Sequence, residues 1–246
     1  MILMYHNIAA EADFNTVAKS AFARHLQFIM QERRIISIEE YVQSLVDGGD
    51  SDGYAVLTFD DGYVSFQTHV LPVLEQFAIP AALFIPVNNV GGTNTWEREG
   101  TPVFHLLSWD DLIRISGHDL VTIGSHGLSH RSMRTLPRQE QRDEVADSKG
   151  ELEGRTGREI AHFCYPYGQR IDFTDETSTL IRQSGYRSAC STLYGRSNRL
   201  KEQYALRRIE IRPYDTFDQF RKLCTKNMHM VYLKQQMKEF LQRFTA

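Results

Sequence analysis

The chain has 246 residues, of which 41% are hydrophobic, 24% charged and 11% aromatic, enough apolar side chain for one large α/β domain or two small ones. A net charge of -3, with Lys and Arg scattered along the chain, gives no electrostatic case for nucleic acid. No apolar run approaches the roughly 20 residues that a membrane-spanning helix needs, and three distant cysteines, Cys164, Cys190 and Cys224, make neither a disulfide framework nor a structural zinc pair.

The opening residues carry no basic leader and no long apolar segment, so a cytoplasmic setting is expected, or an exported one if the chain is trimmed at its start. Residues 2–5 read as a first strand ending at His6-Asn7. Helical spacing follows over 22–34, with Phe22, Leu26 and Ile29 on one face. After a short strand at 35–36, Ser37 and Glu40 form a capping box for a helix that stops at Gly48-Gly49. Residues 55–59 are the next strand. A helix is predicted over 63–77, kinked or delayed by Pro72.

Residues 81–86 are near-continuously apolar, as in a buried parallel strand. Residues 88–104 read as a long loop carrying Trp96, and loops of this length in compact domains are often functional. Ser108 caps a helix to Ile115 that holds Trp109 in the core. A strand over 120–123, an exposed amphipathic helix over 137–154 and a strand over 161–165 come next. A helix over 175–184, strands over 186–190 and 206–211, and one or two helices over 217–244 complete the chain. The alternation predicts a mostly parallel α/β fold. About seven such units favour a barrel over an open sheet, which periodicity does not decide. We take residues 1–246 as one catalytic domain with a helical extension over 215–246.

The candidate chemistry falls at strand C-terminal ends, where such folds place their sites. Asp60 and Asp61 are adjacent carboxylates ahead of Gly62, a pattern that also makes an ordinary turn. A divalent cation on one would hold it ionised and leave the other as a base. His126 and His130 are the available partners, in a loop entering a helix, and the bland alternative is two solvated histidines. Two imidazoles plus the Asp61 carboxylate form a catalytic zinc set with a position left for water. Asp60 beside it can take a proton from that water, the chemistry of amide or ester hydrolysis. The backbone N–H of Tyr167 is a candidate oxyanion donor. His6 is a candidate proton donor to the leaving amine if the first strand neighbours that of Asp60, and a strand-end cap otherwise.

The segments Leu57-Thr58-Phe59-Asp60-Asp61-Gly62, Ser125-His126-Gly127-Leu128-Ser129-His130 and Tyr165-Pro166-Tyr167-Gly168 appear in that order. Together they resemble the polysaccharide deacetylase family, whose shared module is the NodB-homology domain, over about residues 5–211. The resemblance implies a distorted (β/α)7-type barrel and metal-dependent removal of acetyl groups from sugars. It implies Asp60 as base, Asp61, His126 and His130 as metal ligands (Zn2+ being usual), and Pro166-Tyr167 at the oxyanion. Many members carry an arginine shortly before this Pro-Tyr pair, and this chain has Phe163-Cys164-Tyr165 there.

A circularly permuted subgroup, which includes exopolysaccharide and poly-N-acetylglucosamine deacetylases, begins with a Tyr-His segment, as Tyr5-His6 does here. By that likeness His6 does the acid's work and Arg208, in Leu206-Arg207-Arg208-Ile209, braces Asp60 in place of the missing arginine, the alternative being a surface ion pair. Trp96 is read as stacking on a sugar ring or as a loop anchor. The substrate expected is an N-acetylhexosamine-containing glycan. A non-sugar amide and a silent carbohydrate-binding module are the alternatives. Oligomeric state is left open.

Overall fold

The computed structural model describes residues 1–49, 51–225 and 237. In chain order the strands are β1 (Ile2–Tyr5), β2 (Asn7–Ala9), β3 (Thr16–Ala18), β4 (Arg34–Ile35) and β5 (Tyr54–Phe59), then β6 (Ala81–Ile85), β7 (Val121–Ser125), β8 (His162–Cys164), β9 (Ser188–Tyr194) and β10 (Leu206–Glu210). The α-helices are α1 (Lys19–Glu32), α2 (Ile38–Val46), α3 (Leu71–Phe77), α4 (Trp109–Ser116), α5 (Arg138–Thr156), α6 (Asp175–Gln183) and α7 (Phe217–Thr225).

Seven strands run parallel in the order β1-β10-β9-β8-β7-β6-β5, and β1 closes the circle by pairing with β5. Leu3 stands beside Ile209 on one side and Leu57 on the other, so the fold is a closed seven-stranded α/β barrel, as the resemblance implied. Helices follow most strands, but a single 3-10 turn at Leu200–Glu202 joins β9 to β10, which is the distortion. β4 pairs only with the start of β5, outside the barrel circle.

Strand alternation sorts side chains into two layers. Leu3, Tyr5, Leu57, Phe59, Leu83 and Ile85 pack outward with the helices. Ile2, Val56, Ala82, Phe84, Cys164, Cys190 and Leu206 face inward. Helix α2 seals the N-terminal mouth by packing Ile38, Tyr41, Val42 and Leu45 into that inner layer, and the expected Ser37–Glu40 capping box starts it. The same alternation carries Thr58, Asp60 and Arg208 into the interior toward the other mouth.

Three readings shift. The helix expected over 63–77 is a π-helical turn at Phe66–Val70 followed by α3. Pro72 falls in the first turn of α3, where a missing N–H costs nothing. β9 begins two residues later than expected and runs to Tyr194, because Tyr186 turns aside to bond its hydroxyl to Val145. The small β2–β3 pair, absent from the sequence reading, is parallel and too short for period-two patterning to show. Of the terminal helices, α7 packs Phe217 and Phe220 against His25 and Phe28 of α1. Residues 226–236 and 238–246 of the expected extension lie outside the described residues.

Candidate active site

The strand β5 delivers Asp60 and Asp61 to the C-terminal mouth, where the Asp60 N–H still donates to Tyr5 O at 3.0 Å. The chain then turns sharply, with Asp61 at φ 74 and Gly62 at φ 69. A Cβ on residue 62 would lie 2.8 Å from Ile85 Cδ1, so both dihedral and space call for glycine. Consecutive carboxylates thereby reach one buried cavity.

Asp60 is 2% exposed and Arg208 is 1% exposed. Arg208 Nη1 donates to Asp60 Oδ1 at 2.8 Å and Nη2 to Oδ2 at 2.7 Å. Its remaining donors go to Thr58 Oγ1 at 3.0 Å, Cys164 Sγ at 3.1 Å and Ser191 O at 2.8 Å. Such a fork satisfies the guanidinium and fixes the carboxylate plane. Burial pushes the Asp60 carboxyl up, but the Arg208 charge and hydrogen bonds outweigh it and hold the group below the usual carboxylate range. Arg208 is therefore a buried partner of Asp60 and makes no surface ion pair.

Asp61, His126 and His130 converge. Asp61 Oδ1 lies 3.5 Å from His126 Nε2 and 3.2 Å from His130 Nε2, and all three residues are buried. Their ligand atoms lie within 4.8 Å of one another. His126 Nδ1 faces Cys164 O at 2.8 Å. As an N–H it donates there, which leaves Nε2 with a lone pair toward Asp61. Asp61 Oδ1 and His130 Nδ1 have no hydrogen-bond partner among the described residues. Burial pushes the Asp61 carboxyl up, and the facing His130, His6 and His126 more than reverse this, so it stays ionised. Asp60 is already matched by Arg208, so this second buried negative charge faces imidazoles and the Tyr63 hydroxyl and has no cationic Arg or Lys against it among the described residues. The donor set fits a divalent cation of the zinc class.

The loop after β7 is held from behind by Glu144 of α5, which is 3% exposed. Its Oε2 accepts from Leu128 N at 2.6 Å and Ser129 N at 3.0 Å, and Oε1 accepts from Ser129 Oγ. Gly127 (φ 76) passes so close that a Cβ there would lie 2.9 Å from Glu144 Oε2. His130 leaves the loop at φ 56. Neither histidine is helical. Buried Pro166 stands beside Gly127. Tyr167 sits at φ 61, pinned by Gly168 N to Pro166 O at 2.7 Å and Thr192 Oγ1 to Tyr167 O at 2.6 Å. Its own N–H makes no hydrogen bond among the described residues, and its ring meets His130 edge-on at 5.2 Å.

His6 follows β1 directly. Since Tyr5 pairs with Phe59, His6 stands level with Asp60 on the adjacent strand. Trp96 stacks on His130 with ring centroids 4.1 Å apart, so one indole face is taken by the candidate ligand. Three neighbours escaped the sequence reading. Glu97 follows Trp96; burial first and the Asp61 charge second push its carboxyl up. The Tyr63 hydroxyl is buried beside Asp61. Glu144 is the third. Tyr63 adjoins Asp60-Asp61-Gly62, a signal that was available. Glu144 is one of many acids on an exposed-looking helix, and nothing local marks it.

Fold and site together place a clamped carboxylate beside a two-histidine, one-carboxylate group at the open mouth of an α/β barrel. The family profile described as polysaccharide deacetylase matches residues 47–189, and the chain belongs to that family. It is 26% identical over 214 residues to the Bacillus subtilis (strain 168) protein named "Putative polysaccharide deacetylase YxkH", covering 86% of this chain and 71% of that one. Among solved structures, IcaB from Ammonifex degensii superposes with TM-score 0.76 at 23% identity, covering 91% of this chain and 94% of that one. The Streptococcus pyogenes deacetylase PplD, in complex with acetate, gives 0.75 at 20%, covering 91% and 96%. Among the described residues no helix is long and apolar enough to cross a membrane.

Proposed function

We propose that this protein is a metal-dependent hydrolase that removes acetyl groups from N-acetylhexosamine units of a glycan. The carrying observation is the pairing of two buried carboxylates with opposite surroundings. Asp60 is clamped by Arg208, and Asp61 faces His126 and His130 within 3.5 Å. Family membership supports an N-acetyl amide of a sugar polymer as the bond that is cut.

In this reading Asp61, His126 and His130 hold the cation, with Zn2+ the candidate. When bound it supplies Lewis acidity to the acetamide carbonyl and to an attacking water. Asp60, kept ionised and oriented by Arg208, takes the proton of that water. The left-handed turn at Tyr167 leaves its N–H free to donate to the oxyanion, with Pro166 shaping the same turn. His6, level with Asp60 across β1 and β5, protonates the leaving amine. Trp96 backs His130 and offers its other face to the substrate.

The test is acetate release from N-acetylglucosamine oligomers by purified protein with zinc or with chelator. Release that stops with chelator and returns with zinc is expected, and His6→Ala should lower kcat by about 10²-fold or more with metal content unchanged. Absence of acetate from zinc-loaded protein would overturn the reading.

A further inference from the structure

Arginines that are scattered in the sequence gather in space at the sealed end of the barrel. A cleft of about 460 Å3 opens there, between the loop that follows β9 and the start of β10. Arg196, Arg199 and Arg207 line it, and Asp52 and Glu202 are its carboxylates.

The walls are built before anything binds. Asn198, 5% exposed, ties the loop down. Its Nδ2 donates to the Tyr41 hydroxyl of α2 at 3.2 Å and to Arg207 O at 3.1 Å, and its Oδ1 accepts from Arg207 N at 2.7 Å. Gly195 passes so close that a Cβ there would lie 2.6 Å from Arg207 Cδ. Strand alternation turns Arg207 outward to this cleft while Arg208 points inward to Asp60.

The charges of the lining do not balance. Glu202 is fully engaged: Oε1 accepts from Arg207 Nε at 3.0 Å and Oε2 from the Arg199 backbone N–H at 2.9 Å. Neither Arg196 nor Arg199 makes an ion pair among the described residues. Arg196 Nε is shut off from solvent and has no hydrogen-bond partner among them. A further guanidinium stands near. Burial pushes the Cys224 thiol up, and Arg33 and Arg196 both act against it. Three arginines against two carboxylates leave the cleft positive in a chain whose net charge is -3.

Unmatched guanidiniums around one cleft repel each other, and an anion between them removes that repulsion. Their planar forks fit phosphoryl oxygens two at a time, and several forks favour a ligand with more than one charge. The overall negative charge works against a nucleic acid polymer.

We propose that this cleft binds a phosphoryl anion, a phosphate or diphosphate group, held by Arg196 and Arg199 with Arg207 beside them. It lies at the opposite end of the barrel from Asp61, His126 and His130, and it does not depend on the deacetylase reading. Inorganic anion and the diphosphate end of an ester share this chemistry.

Calorimetry on the purified full chain tests the site, with inorganic phosphate, inorganic diphosphate and isopentenyl diphosphate at fixed ionic strength. Diphosphate, which can meet more than one fork, should bind about tenfold tighter than phosphate. Arg196→Gln and Arg199→Gln should each weaken diphosphate about tenfold, the size of one lost charged hydrogen bond. Arg199→Lys keeps the charge without the fork and should recover part of the loss. Neither glutamine removes an ion pair, so Tm without anion should match wild type. Arg142→Gln, at an exposed arginine of α5, should bind as wild type does. Isopentenyl diphosphate bound tighter than diphosphate marks an ester as the ligand, and weaker binding marks the free anion; either upholds the site. No binding by wild type, wild-type affinity in the Arg196→Gln, Arg199→Gln double variant, or an equal loss in Arg142→Gln overturns it.

Discussion

The two mouths of the barrel carry similar side chains and put them to different use. At the sealed N-terminal mouth, Glu39 of α2 accepts from Thr122 Oγ1 at 2.9 Å and lies 3.4 Å from His162 Nε2. His162 Nδ1 faces Ser188 Oγ at 2.8 Å. An acid, an imidazole and a hydroxyl in a row look like a nucleophilic relay. Yet His162 and Ser188 are wholly buried, no reactant can reach the hydroxyl, and none of the three has a left-handed backbone. At the open mouth, Asp61, His130 and Tyr167 all do. Each such residue costs about 1–3 kcal/mol and persists only where its surroundings enforce it. Residue type is shared by the two ends. Enforced strain and access separate them, and those mark the open mouth as the candidate site.

The largest expected effect falls on Asp60. Asp60→Asn removes a charge that Arg208 grips and keeps the shape, so turnover should drop about 10²–10⁴-fold while glycan affinity is kept. Steady-state kinetics beside calorimetry on an oligomer checks this. A variant with wild-type kcat would mean that the two mouths do not differ in chemistry.

The second effect is on stability. Burial holds His126 neutral, with its pKa lowered from 6.5 to about 4. Below pH 6.5 the unfolded chain takes up a proton that the folded protein refuses. Metal-stripped protein should therefore lose stability as pH falls from 6.5 toward 4, by on the order of 3 kcal/mol per such histidine, and this histidine contribution is complete at about pH 4, below which only the carboxylates titrate further. His25, buried against Phe220, is lowered to about 4 as well. His126→Gln should remove about half of the slope and His25→Gln the other half. Denaturant titrations at stepped pH read this, and an unchanged slope in both variants would show that the burial argument fails.

How far the open mouth could be read in advance follows from where its signals lie. Asp60-Asp61-Gly62, His126 with His130, and Pro166-Tyr167 are local strings, legible because each is a turn that needs those residues side by side. The barrel could be favoured from about seven strand–helix units, but closure depends on β1 meeting both β5 and β10, and strand periodicity is silent about which strands meet. Arg208 was named through Leu206-Arg207-Arg208-Ile209. Its two bonds to Asp60 cross 148 residues, a distance no spacing rule reaches. Glu39, His162 and Ser188 drew no notice for the same reason: three different elements assemble them.

Glu144 gives a smaller effect that sharpens the contrast. It touches no reacting atom and acts by holding Leu128 and Ser129, and so His130. Glu144→Ala should weaken zinc about 10–100-fold, measured by competition with a chromophoric chelator. Glu144→Gln retains one acceptor oxygen and should recover part of the loss. Equal zinc affinity in all three proteins would show that the loop needs no outside support.

The smallest effect is expected at the sealed mouth, and its smallness is the point. In Glu39→Gln the amide oxygen can still accept from Thr122, so the cost reduces to the charge facing His162. The Glu39 side chain is 40% exposed, so solvent screens that charge and the loss should stay within about 1 kcal/mol. Burial pushes the Glu39 carboxyl up, but His162 and Thr122 outweigh it and lower it to about 2. The stability it gives is complete above the ordinary value of 4.5 and is lost as pH falls toward 2. Wild type and Glu39→Gln should thus converge in acid and differ slightly at pH 7, with equal kcat/KM for acetate release. A variant with unchanged Tm and turnover reduced tenfold would place chemistry at both mouths and dissolve the distinction between them.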